Sequence, residues 1–151
     1  MPTRKPAGAA LEGGTRVLLD THVLVWLVGG DARLSLPARR LIDRAAADAQ
    51  VWVSAITPWE IGMLVAKGRL TLARDGGQWM QDVLALPGLR LAPLEPEIAV
   101  AATRLPGELH GDPADRMLAA TARHLGAVLV TADERLLAYA AAGHLAAVTA
   151  G

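Results

Sequence analysis

The sequence predicts an α/β fold, a five-stranded, mainly parallel sheet flanked by helices. Three observations carry that reading. Short apolar runs that read as strands alternate with helix-like runs along most of the chain. The helix-like runs carry start and stop residues, with Ser, Thr or Asp at their beginnings and Gly at their ends. Two of the apolar runs, RVLLD and AVLVTAD, finish on an aspartate, as strand tips facing a ligand crevice do in open α/β sheets.

The elements follow in order. Val17 to Asp20 reads as the first strand, and Thr21 to Val28 as a short helix stopped by Gly29-Gly30. Ser35 caps a second helix that runs to Ala49, with Pro37 in its first turn. Val51 to Ile56 is an apolar strand. Thr57 then reads as the cap of a helix with Pro58 at its first position and Gly68 beyond its end. Gln78 to Leu86 is helical and ends at Pro87-Gly88. Leu89 to Leu94 is a strand, Glu97 to Leu105 a helix, and PGELHGDP a loop. Pro113 to Leu125 is a helix closed by Gly126, followed by a strand over Ala127 to Val130. Glu134 to Ala142 is a helix closed by Gly143, and Ala146 to Thr149 a last short strand.

At 151 residues the chain is expected to form one domain with a sizeable core. Residues 1 to 15, rich in Pro, Gly and Ala, read as a mobile tail, which leaves 16 to 151 as the folded domain. Fifteen basic residues balance fifteen acidic ones, so net charge alone indicates neither a nucleic acid nor a membrane partner. The absence of cysteine excludes disulfides, thiolate metal sites and a cysteine nucleophile, and it fits a cytoplasmic protein. The N-terminus lacks the apolar stretch of a signal peptide, and no apolar run reaches the ~20 residues of a membrane helix.

Four acids hold most of the functional information. Asp20 and Asp133 end strands, while Glu60 and Asp115 lie in the first turns of helices. In a parallel sheet these positions share one edge, so the acids converge. Like charges repel, and a bound divalent cation is the usual resolution. Oxygen ligands with no soft partner suit Mg²⁺ or Mn²⁺. Each position also has a plainer reading. Asp20 and Asp133 suit N-caps. Thr57-Pro58-Trp59-Glu60 fits a capping box, in which Glu60 reaches back to the cap. Asp112 suits the N-cap before Pro113, leaving Asp115 freer to face a metal. Thr131, two residues before Asp133 on the same strand face, suits a hydrogen bond to a ligating carboxylate. Arg116 suits a structural ion pair, neutralisation of the acids, or a grip on phosphate. Arg39, Arg40 and Arg44 read as a solvated face or an RNA-backbone stripe. Of the tryptophans, Trp59 beside Glu60 is the best base-stacking candidate. His22 and His110, near the pocket rim, read as bystanders or, alternatively, as proton donors, with the bystander reading favoured.

The stretches LLDTHVLVWL, VSAITPWEIGMLVAKGRL and HGDPADRMLAATARHLGAVLVTADERL, taken in that order, resemble the PIN-domain ribonucleases. The likeness is specifically to toxins of the VapC type from VapBC toxin–antitoxin pairs. It spans most of Val17 to Leu136 and maps the family's acids onto Asp20, Glu60, Asp115 and Asp133. It implies a PIN-like α/β/α sandwich with strand order 3-2-1-4-5. It implies a Mg²⁺- or Mn²⁺-dependent endoribonuclease that cleaves cellular RNA and inhibits growth. Asp20, Glu60 and Asp115 would hold one metal, with Asp133 helping a second. A VapB-type antitoxin would block the pocket, and the chain would form a homodimer. Two other functions fit parts of the pattern. One is an aspartyl-phosphate phosphotransferase using Asp20, although His22 stands where such enzymes of the haloacid-dehalogenase type want a second Asp. The other is a degenerate PIN scaffold that only binds RNA or a protein.

Overall fold

The computed structural model describes residues 14–151. The tail expected over residues 1–15 lies outside the described residues except for Gly14 and Thr15.

Among the described residues five strands form one sheet: β1 (Val17–Leu19), β2 (Val51–Ser54), β3 (Leu89–Ala92), β4 (Val128–Thr131) and β5 (Ala147–Thr149). Their spatial order is β3-β2-β1-β4-β5, and every pairing is parallel. The expected order holds, and "mainly parallel" becomes wholly parallel. β1 is central: Leu18 pairs in register with Trp52 on one side and Leu129 on the other.

Among the described residues seven helices cover the sheet: α1 (Thr21–Gly29), α2 (Leu36–Ala47), α3 (Ile56–Ala66), α4 (Gly76–Leu84), α5 (Pro96–Ala101), α6 (Pro113–Leu125) and α7 (Glu134–Ala141). Alternation along the strands sorts the core into two layers. Val17, Leu19, Val51, Val53 and Val130 pack with α1 to α4 on one face. Leu18 and Leu129 pack with Leu118, Ala119, Leu136 and Tyr139 of α6 and α7 on the other. Both faces are covered, and the central strands are apolar except for Ser54 and Thr131 at their carboxyl ends. Each fully buried Leu or Val here contributes about 1.5–3 kcal/mol. Gly88 turns the chain into β3 at φ +87, where a Cβ would strike the backbone of Ala46. Only glycine fits that approach.

Several boundaries depart from the sequence reading: β2 stops at Ser54 and not Ile56, β3 at Ala92 and not Leu94, and β4 runs one residue later than expected. The helix after β2 begins at Ile56, not after a Thr57 cap. The Ser54 hydroxyl accepts the Ile56 N–H at 3.1 Å, and Thr57 lies inside the helix, buried. Pro58 is tolerated because the N–H it lacks belongs to the first turn, which has no helical partner for it. Asp75, not a later residue, starts α4 by accepting the Gln78 N–H at 3.2 Å. α5 stops at Ala101, short of Leu105, where the chain tightens into turns (Thr103 N–H to Val100 O, Arg104 N–H to Ala101 O) ahead of Pro106.

Candidate metal centre

β1 is joined to β2 on one side and β4 on the other, so the chain reverses its winding at the β1–β4 boundary. Helices leaving the carboxyl ends of these strands diverge there and open a crevice. A cleft of about 520 Å³ lies at that edge, lined by Asp20, His22, Trp26, Glu60, Arg69, Asp112, Asp115, Ala132, Asp133 and Arg135. The four expected acids come together in it, joined by Asp112.

Each acid is held by its own local structure. Asp20 follows β1, and both its oxygens are engaged. Oδ1 accepts the Thr21 N–H at 2.7 Å and Oδ2 accepts the Thr131 hydroxyl at 2.6 Å. Thr131 is fully buried and also accepts the Asp133 N–H at 3.0 Å. Glu60 lies one full turn into α3, and its Oε1 accepts the Thr21 hydroxyl at 2.5 Å. The Thr21 and Thr57 hydroxyls are in turn 3.2 Å apart. One string of contacts thus runs Glu60–Thr21–Asp20–Thr131–Asp133. The capping-box reading of Glu60 fails because the helix starts before Thr57 and the carboxylate is turned to Thr21. The second role expected of Asp133 is real: its Oδ1 accepts the Arg135 and Leu136 N–H groups and caps α7.

Asp112 caps α6 as expected, its Oδ1 accepting the Ala114 and Asp115 N–H groups. Asp115 is only 9% exposed, less free than the sequence suggested. Its Oδ2 lies 3.1 Å from Nε2 of His110, which packs behind it and is no mere rim residue. Among the described residues Arg116 forms no ion pair, and it is not part of the cleft lining. Its Nε donates to Ala102 O and its guanidinium to Leu109 O, both at 2.8 Å. It is a strap that ties the α5–α6 loop to α6.

The electrostatics follow from burial. Asp115 is pushed up to about 7, chiefly because it is desolvated and then because Asp112, Asp133, Asp20 and Glu60 surround it. Burial likewise raises Asp20 and Glu60 above the usual carboxylate range, against the pull of their hydroxyl and amide donors. Among the described residues, no Lys or Arg forms an ion pair with any of the cleft acids. An all-oxygen set of mutually repelling carboxylates, not ion-paired with any Lys or Arg among the described residues, is the donor set a hard divalent ion takes. The residues present fit Mg²⁺ or Mn²⁺.

Sequence reasoning missed several cleft residues. Trp26, not Trp59, lines the cleft, with the Arg33 guanidinium 5.1 Å from its ring centre. Trp59 is 59% exposed and lies outside the cleft lining. Arg69 and Arg135 face the cleft, whereas Arg39, Arg40 and Arg44 do not. Arg69 follows a helix-ending glycine and Arg135 follows a cap, and neither setting distinguishes it in the sequence. Thr21 carried a usable signal, a hydroxyl beside the strand-tip acid.

A parallel 3-2-1-4-5 sheet with acids gathered where the winding reverses defines a PIN-type nuclease fold, and the chain belongs to the PIN-domain family, whose sequence model matches residues 17–142. Within that family it is of the VapC type. It is 38% identical over 122 residues to Ribonuclease VapC22 of Mycobacterium tuberculosis, an alignment covering 81% of this chain and 90% of that protein. Two solved structures share the fold at 16% identity and a TM-score of 0.65. One is VapBC2 from Rickettsia felis bound to a DNA fragment from its promoter, covering 89% of this chain and 98% of that one. The other is DNA-bound VapBC from Salmonella typhimurium, covering 91% and 100%.

Proposed function

We propose that the chain is the endoribonuclease toxin of a VapBC-type pair, dependent on Mg²⁺ or Mn²⁺, cleaving cellular RNA and so arresting growth. The observation that carries this reading is the cleft itself: Asp20, Glu60, Asp115 and Asp133 share it, burial raises the first three, and among the described residues none is paired with a Lys or Arg. The likeness to a ribonuclease over most of the chain supports the choice of RNA as substrate. Four intact acids in one cleft weigh against a degenerate scaffold.

Asp20, Glu60 and Asp115 would hold the ion, and Asp133 would complete the set or help a second ion. Bound there, a divalent cation would supply a water activated for attack at neutral pH and would offset charge on the phosphate oxygens. The protein's part is positioning. Thr21 and Thr131 fix the rotamers of Glu60 and Asp20 by donating to them. Arg69 and Arg135, free of carboxylate partners among the described residues, grip phosphates of the RNA strand. The Trp26 ring offers a face for a base. Residues 16–151 suffice for these roles. A VapB-type antitoxin blocks the cleft, and a second copy of the chain completes a homodimer. Trp59 and Val65 on α3 and Val28 on α1 leave exposed apolar surface for such partners. Among the described residues no helix is long and apolar enough to cross a membrane, and the toxin acts in the cytoplasm.

Purified protein incubated with RNA tests the reading. EDTA is expected to abolish cleavage, and added Mg²⁺ or Mn²⁺ to restore it. Full cleavage in chelator would remove the metal mechanism. A protein that never cuts RNA with either ion would remove the nuclease.

A further inference from the structure

His110 lies against the back of Asp115, and its two ring nitrogens have different partners. The Asp112 backbone N–H donates to Nδ1 at 3.3 Å. A backbone N–H can only donate, so Nδ1 presents its lone pair and the proton of the neutral ring sits on Nε2. Nε2 is sealed from solvent and lacks an aligned hydrogen-bond partner. The acceptor within reach is Asp115 Oδ2, 3.1 Å away. A buried donor left unpaired is costly, so the imidazole favours any arrangement in which Asp115 turns an oxygen onto it. The ring is held for this task. Arg116 ties the loop carrying Leu109 to α6, and Asp112, the cap of that helix, supplies the amide that fixes the tautomer.

We propose that His110 is a positioning residue for the metal centre: a neutral imidazole that presents Nε2–H to Asp115 Oδ2 and so reserves the other carboxylate oxygen for the divalent cation. The proposal rests on the reading of the cleft as a metal centre given under Proposed function. His110 is thereby distinguished from a ligand. Its Nε2 and oxygens of Asp115 and Asp133 do lie within 4.8 Å of one another, close enough to share an ion. Ligation through Nε2 needs that nitrogen's lone pair, which would put the proton on Nδ1, facing the Asp112 N–H donor. The hydrogen bond to Nδ1 and ligation through Nε2 exclude each other. Partners of this kind orient a ligand carboxylate and set its affinity for the ion without touching it.

The experiment is Mn²⁺ binding to the full chain without RNA, followed by electron paramagnetic resonance. His110→Ala and His110→Asn should weaken Mn²⁺ binding roughly 10–100-fold. His110→Gln, whose amide nitrogen reaches the place of Nε2, should restore most of it. Thermal unfolding in EDTA identifies variants that keep the fold, and the Gln and Asn pair differ in reach but not in chemistry. The spin-echo spectrum of the wild-type Mn²⁺ complex should show no nitrogen coupling that disappears in His110→Gln. Equal Mn²⁺ affinity in wild type, Ala and Asn variants would overturn the positioning role and leave the metal centre standing. A nitrogen coupling lost in His110→Gln would make His110 a ligand and overturn the proposal in the other direction. Failure of the wild type itself to bind Mn²⁺ would overturn both the metal centre and this role.

Discussion

Asp31 and Asp115 are the same residue in opposite circumstances. Asp31, just beyond α1, has both oxygens gripped by Arg33, with Oδ1 receiving Nε at 3.1 Å and Oδ2 an N–H at 2.7 Å. The guanidinium and the Arg33 backbone N–H hold it down at about 2. Asp115, in the cleft, has no arginine partner and is pushed up to about 7. The chain does not lack cations near the cleft, since Arg69 and Arg135 line it. They remain unpaired among the described residues, and the carboxylates face one another instead. The difference teaches that the surface pair is satisfied internally, whereas the cleft acids are left for an external cation to satisfy under the proposed function. A region arranged this way gives up local stability for function.

The largest expected effect comes from removing one cleft charge while keeping its hydrogen bond. In Glu60→Gln the amide oxygen can still accept the Thr21 hydroxyl, so the fold should melt close to wild type. RNA cleavage should fall on the order of a thousandfold, about 4 kcal/mol of transition-state stabilisation. Unimpaired cutting by Glu60→Gln would place Glu60 with Asp31, a carboxylate with only a structural partner.

Acidity separates the two regions next. Asp115 is raised from 3.8 to about 7, so the native protein binds the proton more tightly than the unfolded chain. Its contribution is therefore fully present below about 4 and lost as pH rises toward about 7. In EDTA the unfolding free energy should decline across that window by ~1–3 kcal/mol, allowing for solvent screening in an open cleft. Saturating Mg²⁺ should flatten the decline, because the ion binds only the folded, ionised site. Asp31 has the opposite sign. Its lowered value favours the ionised native form, and that benefit is lost only as pH falls from about 4 toward about 2. Denaturant titrations over pH 3–8, with and without Mg²⁺, measure both limbs. An EDTA curve that rises between pH 4 and 7 would contradict the assignment of Asp115.

The smallest effect is expected at the surface. Asp31→Asn removes a screened pair and should leave RNA cleavage and the neutral-pH melting temperature nearly unchanged. A clear loss of cleavage in that variant would mean the Arg33–Trp26 stack reaches the substrate through Asp31.

The same contrast explains what the sequence revealed. Strand and helix runs were legible because apolar residues recur with the period of each element and Gly and Pro mark the ends. Leu18 and Leu129 lie fully buried within the apolar runs that read as strands. The four acids were legible because their positions at strand ends and helix starts share an edge in any parallel sheet. Side-chain direction was not legible. Thr57 followed by Pro58 looks like a cap in one dimension, but Ser54 takes the first free N–H and turns Thr57 inward. Arg116 sits next to Asp115 in sequence, yet its guanidinium goes to two backbone carbonyls. His110 looked like a bystander because a tautomer set by a neighbour's amide leaves no trace in residue spacing.

The most direct measurement is the melting temperature of wild type and Asp20→Asn, each with EDTA and with Mg²⁺. Asp20 accepts from Thr21 N–H and from the Thr131 hydroxyl. An asparagine keeps an acceptor for the first, and its amide can donate to Thr131 in place of the second contact. Replacement removes one of the repelling, desolvated charges. The metal-free variant should therefore melt no lower than wild type, Mg²⁺ should raise wild type more than the variant, and the variant should neither cleave RNA nor arrest growth. An Asp20→Asn protein that cleaves RNA, or that gains as much from Mg²⁺ as wild type does, would contradict a cleft whose strained carboxylates exist to hold a cation.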